Sequence, residues 1–385
     1  MKNTHYNFID ALRGYAILAV MAVHAAQAVP AWGGAVRQLV DQGARGVQLF
    51  FVASALTLAM SWHARNDGLL PFYTRRLFRI APMFWLGIVF FVWLNGFGPS
   101  YFAPNGIGAI HVALTVFFLH GWHPETINSV VPGGWSIAVE IMFYLIFPAL
   151  VFFIRGLRTA VIGLVLSTVL ALGSLAFFWL YRARVWPEMP DGLMSSFLSF
   201  WFPNQLPVFM IGFVVYFAIR DWPDRFSAWA LRSALCGAIA AMVALPFMYK
   251  SVTIMGHGLG VFGPALYGVC FGIFAFCLAK GVGTRFVNAP IRFLGKVSFS
   301  AYLIHFAVID SGFGTSFFRS LTNKYFWDGS LVFLVYFLAI IAITSALSSI
   351  TYWAIEQPMI ALGNRLIRQN WNRRLPSTSA PKVEN

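Results

Sequence analysis

The sequence predicts an all-α polytopic membrane protein, a bundle of about ten transmembrane helices with both termini cytoplasmic, and three observations carry that reading. First, 59% of the 385 residues are hydrophobic and only 10% are charged, whereas a soluble domain is about a quarter charged. Mean hydropathy is +0.72. So few charges cannot cover a water-facing surface, which excludes a soluble enzyme. Second, apolar runs of roughly 20 residues, the length that crosses a bilayer core, recur along the chain. Third, Lys and Arg segregate onto alternate loops.

Ten apolar runs bounded by charge or turn residues are read as spans: residues 11–29, 47–62, 80–97, 134–153, 160–181, 201–219, 231–249, 259–279, 297–314 and 331–355. Residues 110–119 are too short to cross alone and are read as re-entrant or surface-lying. With the N-terminus inside, 20 Lys and Arg fall on the inner side, Arg13 included, and 7 on the outer side. That is the bias of cytoplasmic loops, so the formal net charge of +14 is first a topology signal. Residues 1–358 are read as the membrane domain. Residues 359–385 are read as a basic cytoplasmic tail, partly disordered beyond Pro376. The first run lacks a small-residue cleavage site and is expected to be retained. Cys236, Cys270 and Cys277 all fall in apolar stretches, so no disulfide framework is implied.

Charged groups inside spans are costly and commonly face the bundle interior. The segment Asp10-Ala11-Leu12-Arg13-Gly14-Tyr15 brings Arg13 into the first span, and His24 follows eleven positions later. Eleven residues make three turns plus about 20°, so both lie on one face, roughly 16 Å apart along the axis. The plainer reading is a snorkelling arginine and an unrelated core histidine. In Phe72-Tyr73-Thr74-Arg75-Arg76-Leu77-Phe78-Arg79, Arg76 and Arg79 share a helix side. Guanidiniums clamp phosphates with paired hydrogen bonds, although in isolation an anchor to lipid headgroups accounts for them better.

Glu140, in Gly133-Gly134-Trp135-Ser136-Ile137-Ala138-Val139-Glu140, is expected roughly 9 Å below the outer end of its span. His24 comes to nearly the same depth, so the two are expected to pair, the carboxylate orienting the imidazole and stabilising its protonated form. A purely structural ion pair is the alternative. Ser298, Tyr302 and His305 recur at spacings of four and three and share a polar stripe that Asp310 continues. For Ser298 and Asp310, hydrogen-bonding glue between helices is the favoured role. His111, His120, His123 and Glu125 in the second outer loop match no metal-ligand spacing. The sequence also carries no Gly-rich phosphate loop, GxSxG elbow or nucleic-acid motif. Neither a metal nor a nucleic-acid partner is therefore expected.

Taken in order, these segments resemble the membrane-bound acyltransferase-3 family. The matching pieces are Asp10-Ala11-Leu12-Arg13-Gly14 with His24; Gly46-Val47-Gln48-Leu49-Phe50-Phe51-Val52-Ala53-Ser54; Arg76-Leu77-Phe78-Arg79-Ile80-Ala81-Pro82; Trp135-Ser136 through Glu140 to Phe143-Tyr144; Gly295 through Ser298 to Tyr302-Leu303-Ile304-His305; and Glu356-Gln357-Pro358. Ala55 stands where a Gly often follows the Ser, and Gln357 where a basic residue often precedes the Pro. The resemblance implies a ten-helix bundle that moves an acyl group, commonly acetyl, from cytoplasmic acyl-CoA to hydroxyls of envelope sugars. It implies functional roles for Arg13 and His24 on the first helix and for the arginine pair Arg76 and Arg79.

The mechanism expected on this basis has acetyl-CoA phosphates on Arg76, Arg79 and Arg75 at the cytoplasmic face, with Arg13 beneath a pore leading to His24. His24 acts as general base or accepts the acyl group itself, and Glu140 holds its tautomer. Ser54, Trp135, Ser136, Tyr144, Tyr302 and His305 are expected to line the site. The partners are then membrane lipid, acyl-CoA and an extracytoplasmic glycan or small hydroxyl acceptor, in the bacterial inner membrane. The competing reading is an envelope glycolipid transporter or flippase, with no acyl transfer.

Overall fold

The computed structural model describes residues 6–29, 33–65, 68–222, 226–248, 253–254, 257–258, 263–312 and 329–372. The expectation of disorder beyond Pro376 lies outside these residues. The helices are α1 (Asn7–Ala28), α2 (Gly34–Asp41), α3 (Gly46–Arg65), α4 (Leu69–Asn95), α5 (Ala109–Val116), α6 (Gly134–Phe153), α7 (Leu157–Val185) and α8 (Asp191–Phe200). They continue as α9 (Phe202–Asp221), α10 (Ala228–Met248), α11 (Gly263–Ala279), α12 (Ala289–Lys296), α13 (Ser298–Asp310), α14 (Gly329–Thr351) and α15 (Gln357–Asn372). Extended pairing among the described residues is confined to a two-residue ribbon, Thr253–Ile254 with His257–Gly258, and a bridge between Ser100 and Ala103.

Each of the ten apolar runs contains a helix. Among the described residues, eight helical segments are long and apolar enough to cross a bilayer, and α12 with α13 makes a ninth if that bent pair counts as one span. The segment α11 is apolar but shorter, at 17 residues. The chain is an all-α polytopic membrane protein. With eight residues, α5 reaches only about 12 Å; it lies against α4, where Trp85 Nε1 donates to the Val116 carbonyl at 3.0 Å. It is too short to be a span.

Helix α1 is the hub, packed by α3, α12, α13 and α14, while α7 and α10 bury little and form the rim. Association inside a bilayer relies on close backbone approach at small residues. Gly14 and Gly295 supply it reciprocally: a Cβ on Gly14 would overlap the Ile291 carbonyl, and one on Gly295 would overlap the Asp10 backbone. Helix α12 can therefore lie directly across the lower half of α1. It starts at Asn288, whose side chain accepts from Ile291 N at 3.1 Å, with a proline in its first turn.

At Val297 the chain turns by 81° into α13. The start of α13 is capped from a distance. A π-helical turn at Tyr352–Glu356, where α14 passes into α15, brings in Glu356, whose Oε1 accepts from Ser300 N at 3.0 Å and from the Ser300 hydroxyl. A carboxylate at a helix N-terminus satisfies an otherwise orphaned N–H and opposes the positive end of the dipole. Rings fill the space between α3, α4, α6 and α9: Phe143 stacks on Phe209 at 4.0 Å, Phe209 on Phe51 at 4.5 Å, and Phe147 on Phe72 at 5.2 Å. A buried amide pair, Gln48 Nε2 to Gln205 Oε1 at 3.0 Å, ties α3 to α9.

Candidate active site

Five helices converge on one cavity of about 70 Å³, lined by Arg13 of α1; Val47, Phe50, Phe51 and Ser54 of α3; Arg79 and Ile80 of α4; Ser136, Ile137, Glu140 and Tyr144 of α6; and Ser298, Phe299 and Tyr302 of α13. Seven of the residues singled out from sequence as the site meet here: Arg13, Ser54, Arg79, Ser136, Glu140, Tyr144 and Tyr302. Glu140 is the carboxylate of the cavity wall. Its Oε1 accepts from the Ser54 hydroxyl at 2.7 Å and from the Tyr144 hydroxyl one turn along α6.

Around that carboxylate stand three guanidiniums. Arg13 lies within electrostatic range of Arg79, Glu140, Tyr144 and Asp10, and Arg76 within range of Tyr144, Arg79 and Glu140. Arg76 is held over the Tyr144 ring, 5.8 Å from its centroid. Its Nε is buried with no hydrogen-bond partner among the described residues. Arg76 also lines a smaller cleft with Arg65, Phe72 and Arg75 at the α3–α4 turn, so it stands between that cleft and the main cavity. On the far side, Glu356 lies within electrostatic range of Arg79. Among the residues that line the cavity, two guanidiniums, Arg13 and Arg79, stand against one carboxylate, Glu140, which leaves the lining net positive, the condition for binding an anion.

His24 sits elsewhere. Its Nδ1 is 2.9 Å from Gln27 Oε1 on the next turn of α1, and its ring lies 5.4 Å from His305 and 4.6 Å from Phe306, centroid to centroid. It does not line the cavity. Tyr302 stands between: it lines the cavity, and its ring lies 5.8 Å from that of His305. The Tyr302 hydroxyl donates to the Gly133 carbonyl at 3.0 Å and accepts from Ser136 Oγ at 2.9 Å. Arg13 and His24 share a face of α1 as their spacing demands, but a tyrosine wall separates them where an open shaft was expected.

The expected pairing of Glu140 with His24 is not formed, and the reason is the depth at which α6 begins. Sequence reasoning put the first residue of that span at the outer boundary. In the structure Gly133, just before α6, is recessed against Tyr302 and Phe306, so tightly that a Cβ there would overlap both rings. Its φ of +74° favours glycine on a second count. Glu140, seven residues further along, is about 10 Å below that level and belongs with Arg13.

Trp135 stacks on Phe200 at 4.3 Å and does not line the cavity, so it packs α6 against α8. Asp310 is exposed at the end of α13. The loop histidines point apart: His111 Nδ1 accepts from Gly108 N, His120 Nε2 donates to the Gly134 carbonyl at 3.0 Å, and His123 lies edge-on to Trp186. Burial pushes the His120 imidazole down to about 4. Two residues were missed as parts of the site. Gln27 is three positions from His24, a spacing the sequence displays; Glu356 was matched as a motif without its contact to α13.

Comparison with known proteins agrees with the architecture. A family model, the acyltransferase domain of the acyltransferase-3 type, matches residues 6–353. The acyltransferase MdmB of Streptomyces mycarofaciens is 26% identical over 327 residues, 79% of this chain and 79% of the relative. The exopolysaccharide production protein ExoZ of Rhizobium meliloti is 28% identical over 183 residues, 45% of this chain and 56% of the relative. A Staphylococcus aureus (strain COL) protein provisionally named an O-acetyltransferase is 21% identical, covering 94% of this chain and 58% of the relative. The chain thus spans little more than half the length of the last two. No solved structure gives a significant match. By a family match that runs through nearly every helix described above, the chain belongs to the membrane-bound acyltransferase-3 family.

Proposed function

We propose that this protein moves an acyl group, acetyl in the first instance, from cytoplasmic acyl-CoA to a hydroxyl of an extracytoplasmic glycan or related small acceptor, and that it works in the bacterial inner membrane. The observation that carries the reading is that Arg13 and Arg79 line one cavity in which Glu140 is the lining carboxylate, with Arg76 within electrostatic range of that carboxylate from the adjoining cleft. Coenzyme A presents phosphates suited to these guanidiniums, and Arg75 in the adjoining cleft extends the positive surface toward the α3–α4 turn. The relatives' names point the same way: acyltransferase, O-acetyltransferase and exopolysaccharide production.

His24 is the general base of this reading. Gln27 on the next turn is exposed, so this end of α1 is open to a hydroxyl acceptor, while the donor rises from the arginines. At about 70 Å³ the cavity holds waters but no pantetheine arm. Donor binding therefore requires its walls to part, and Tyr302, held by two hydrogen bonds, is the side chain that must swing. His24 takes the acceptor's proton as the oxygen attacks the thioester carbonyl, and returns it to the departing thiolate.

The test is incubation of the purified protein with labelled acetyl-CoA and crude envelope glycan. Label in the glycan, lost in His24→Ala with donor binding retained, supports the reading. Glycolipid counterflow without acylation would establish the transporter reading instead, and full transfer by His24→Ala would remove the base assignment.

A further inference from the structure

His305 is fully buried, and its two ring nitrogens differ in what they meet. Nδ1 lies 3.0 Å from the Ala301 carbonyl. A carbonyl only accepts, so Nδ1 carries the hydrogen and Nε2 presents a lone pair. That Nε2 is buried with no hydrogen-bond partner among the described residues. An orphaned buried acceptor is uncommon in a folded protein and asks for an explanation.

Across from it, His24 Nδ1 meets the amide oxygen of Gln27. An amide oxygen also only accepts, so His24 Nε2 likewise presents a lone pair. The two rings are 5.4 Å apart at their centroids, close enough for nitrogens to reach the hydrogen-bond separation of about 3 Å. Neither imidazole has a carboxylate hydrogen-bond or ion-pair partner among the described residues. Both Nε2 atoms are then acceptors, and protonation of His24 supplies the hydrogen that a bond between the two rings needs.

We propose that His305 is a positioning residue for His24, its Nε2 receiving the N–H of the His24 imidazolium that forms when the acceptor is deprotonated. The inference rests on the base assignment made above. In the step it describes, the acceptor O–H bond breaks and its hydrogen goes to His24 Nε2. The oxygen bonds to the thioester carbonyl carbon, the C–S bond breaks, and His24 returns the proton to the thiolate sulfur. While His24 is cationic, Nε2–H donates to His305. A neutral imidazole thus fills the place that sequence reasoning had given to Glu140, and Gln27 fixes the tautomer as an amide does in Cys-His-Asn sites.

The experiment compares His305→Gln, His305→Asn and His305→Phe in the full-length protein, reconstituted in lipid nanodiscs, with labelled acetyl-CoA and crude envelope glycan. Gln extends an amide to the position of Nε2, whereas Asn reaches only the Nδ1 level. Turnover in His305→Phe should fall about 100-fold, with the donor KM within about twofold of wild type. His305→Gln should retain at least about tenfold more turnover than His305→Asn. Turnover within about threefold of wild type in His305→Phe, or Gln no better than Asn, overturns the proposal. If His305→Phe does not fold, the Gln-to-Asn ratio decides alone. His24→Ala run alongside separates the two readings. Its loss with normal His305 variants removes only the role of His305, while its full activity removes the base and this inference together.

Discussion

Glu356 holds the beginning of α13 in place, and its replacement should be felt well beyond the residue itself. The side chain is 3% exposed, and one of its oxygens accepts two hydrogen bonds from Ser300, backbone and hydroxyl. Glu356→Ala removes both, each worth about 1.5–3 kcal/mol when the acceptor is charged, and leaves a buried N–H unpaired. Relief of carboxylate desolvation offsets part of this, so the net loss should be about 3–5 kcal/mol. Glu356→Gln keeps an acceptor and loses only the charge facing the helix dipole, which should cost about 1–2 kcal/mol. Reversible unfolding in mixed detergent micelles measures both. The Ser300→Ala, Glu356→Ala double-mutant cycle should return a coupling above about 1 kcal/mol. A Glu356→Ala variant within about 1 kcal/mol of wild type, or one no worse than Glu356→Gln, would refute the capping argument.

Other outcomes are equally direct. Arg76→Ala and Arg79→Ala should each raise the donor KM by about 10- to 100-fold, the worth of a charge-assisted hydrogen bond to phosphate; an unchanged KM would make them lipid anchors. Gly295→Ala should destabilise by at least about 1–3 kcal/mol, because the Asp10 backbone cannot yield. Gly173→Ala on α7, where nothing lies within 4 Å, should be neutral or stabilising in the same unfolding assay. Because the folded-state pKa of His120 is lowered to about 4, its stabilising contribution is fully present above its unfolded value of about 6.5 and is lost as pH falls from there toward 4. The sum approaches roughly 3 kcal/mol, and His120→Gln should flatten that part of the stability–pH curve.

What could be read from the sequence follows from the physics of each signal. Apolar run length reports directly on the bilayer, and each of the ten runs contains a helix among the described residues. The one-face relation of Arg13 and His24 is a property of a single helix and survived folding. The depth of Glu140 relative to His24 was not readable, because it depends on where a neighbouring helix starts. Nothing in Gly133-Gly134-Trp135 says that this start is sunk against Tyr302 and Phe306. The capping of α13 by Glu356 joins residues 56 positions apart through a π-helical turn, a feature with no periodic trace. Gln27, three residues from His24, was within reach of the same helical arithmetic.

The start of α6 has an electrical consequence. Gly133 meets the Tyr302 ring, and Tyr302 also lines the cationic cavity. A proton or an anion that passes this ring during turnover carries charge through part of the membrane field, worth about 2.3 kcal/mol per elementary charge per 100 mV for the full drop. Energised vesicles and de-energised ones should then turn over at different rates.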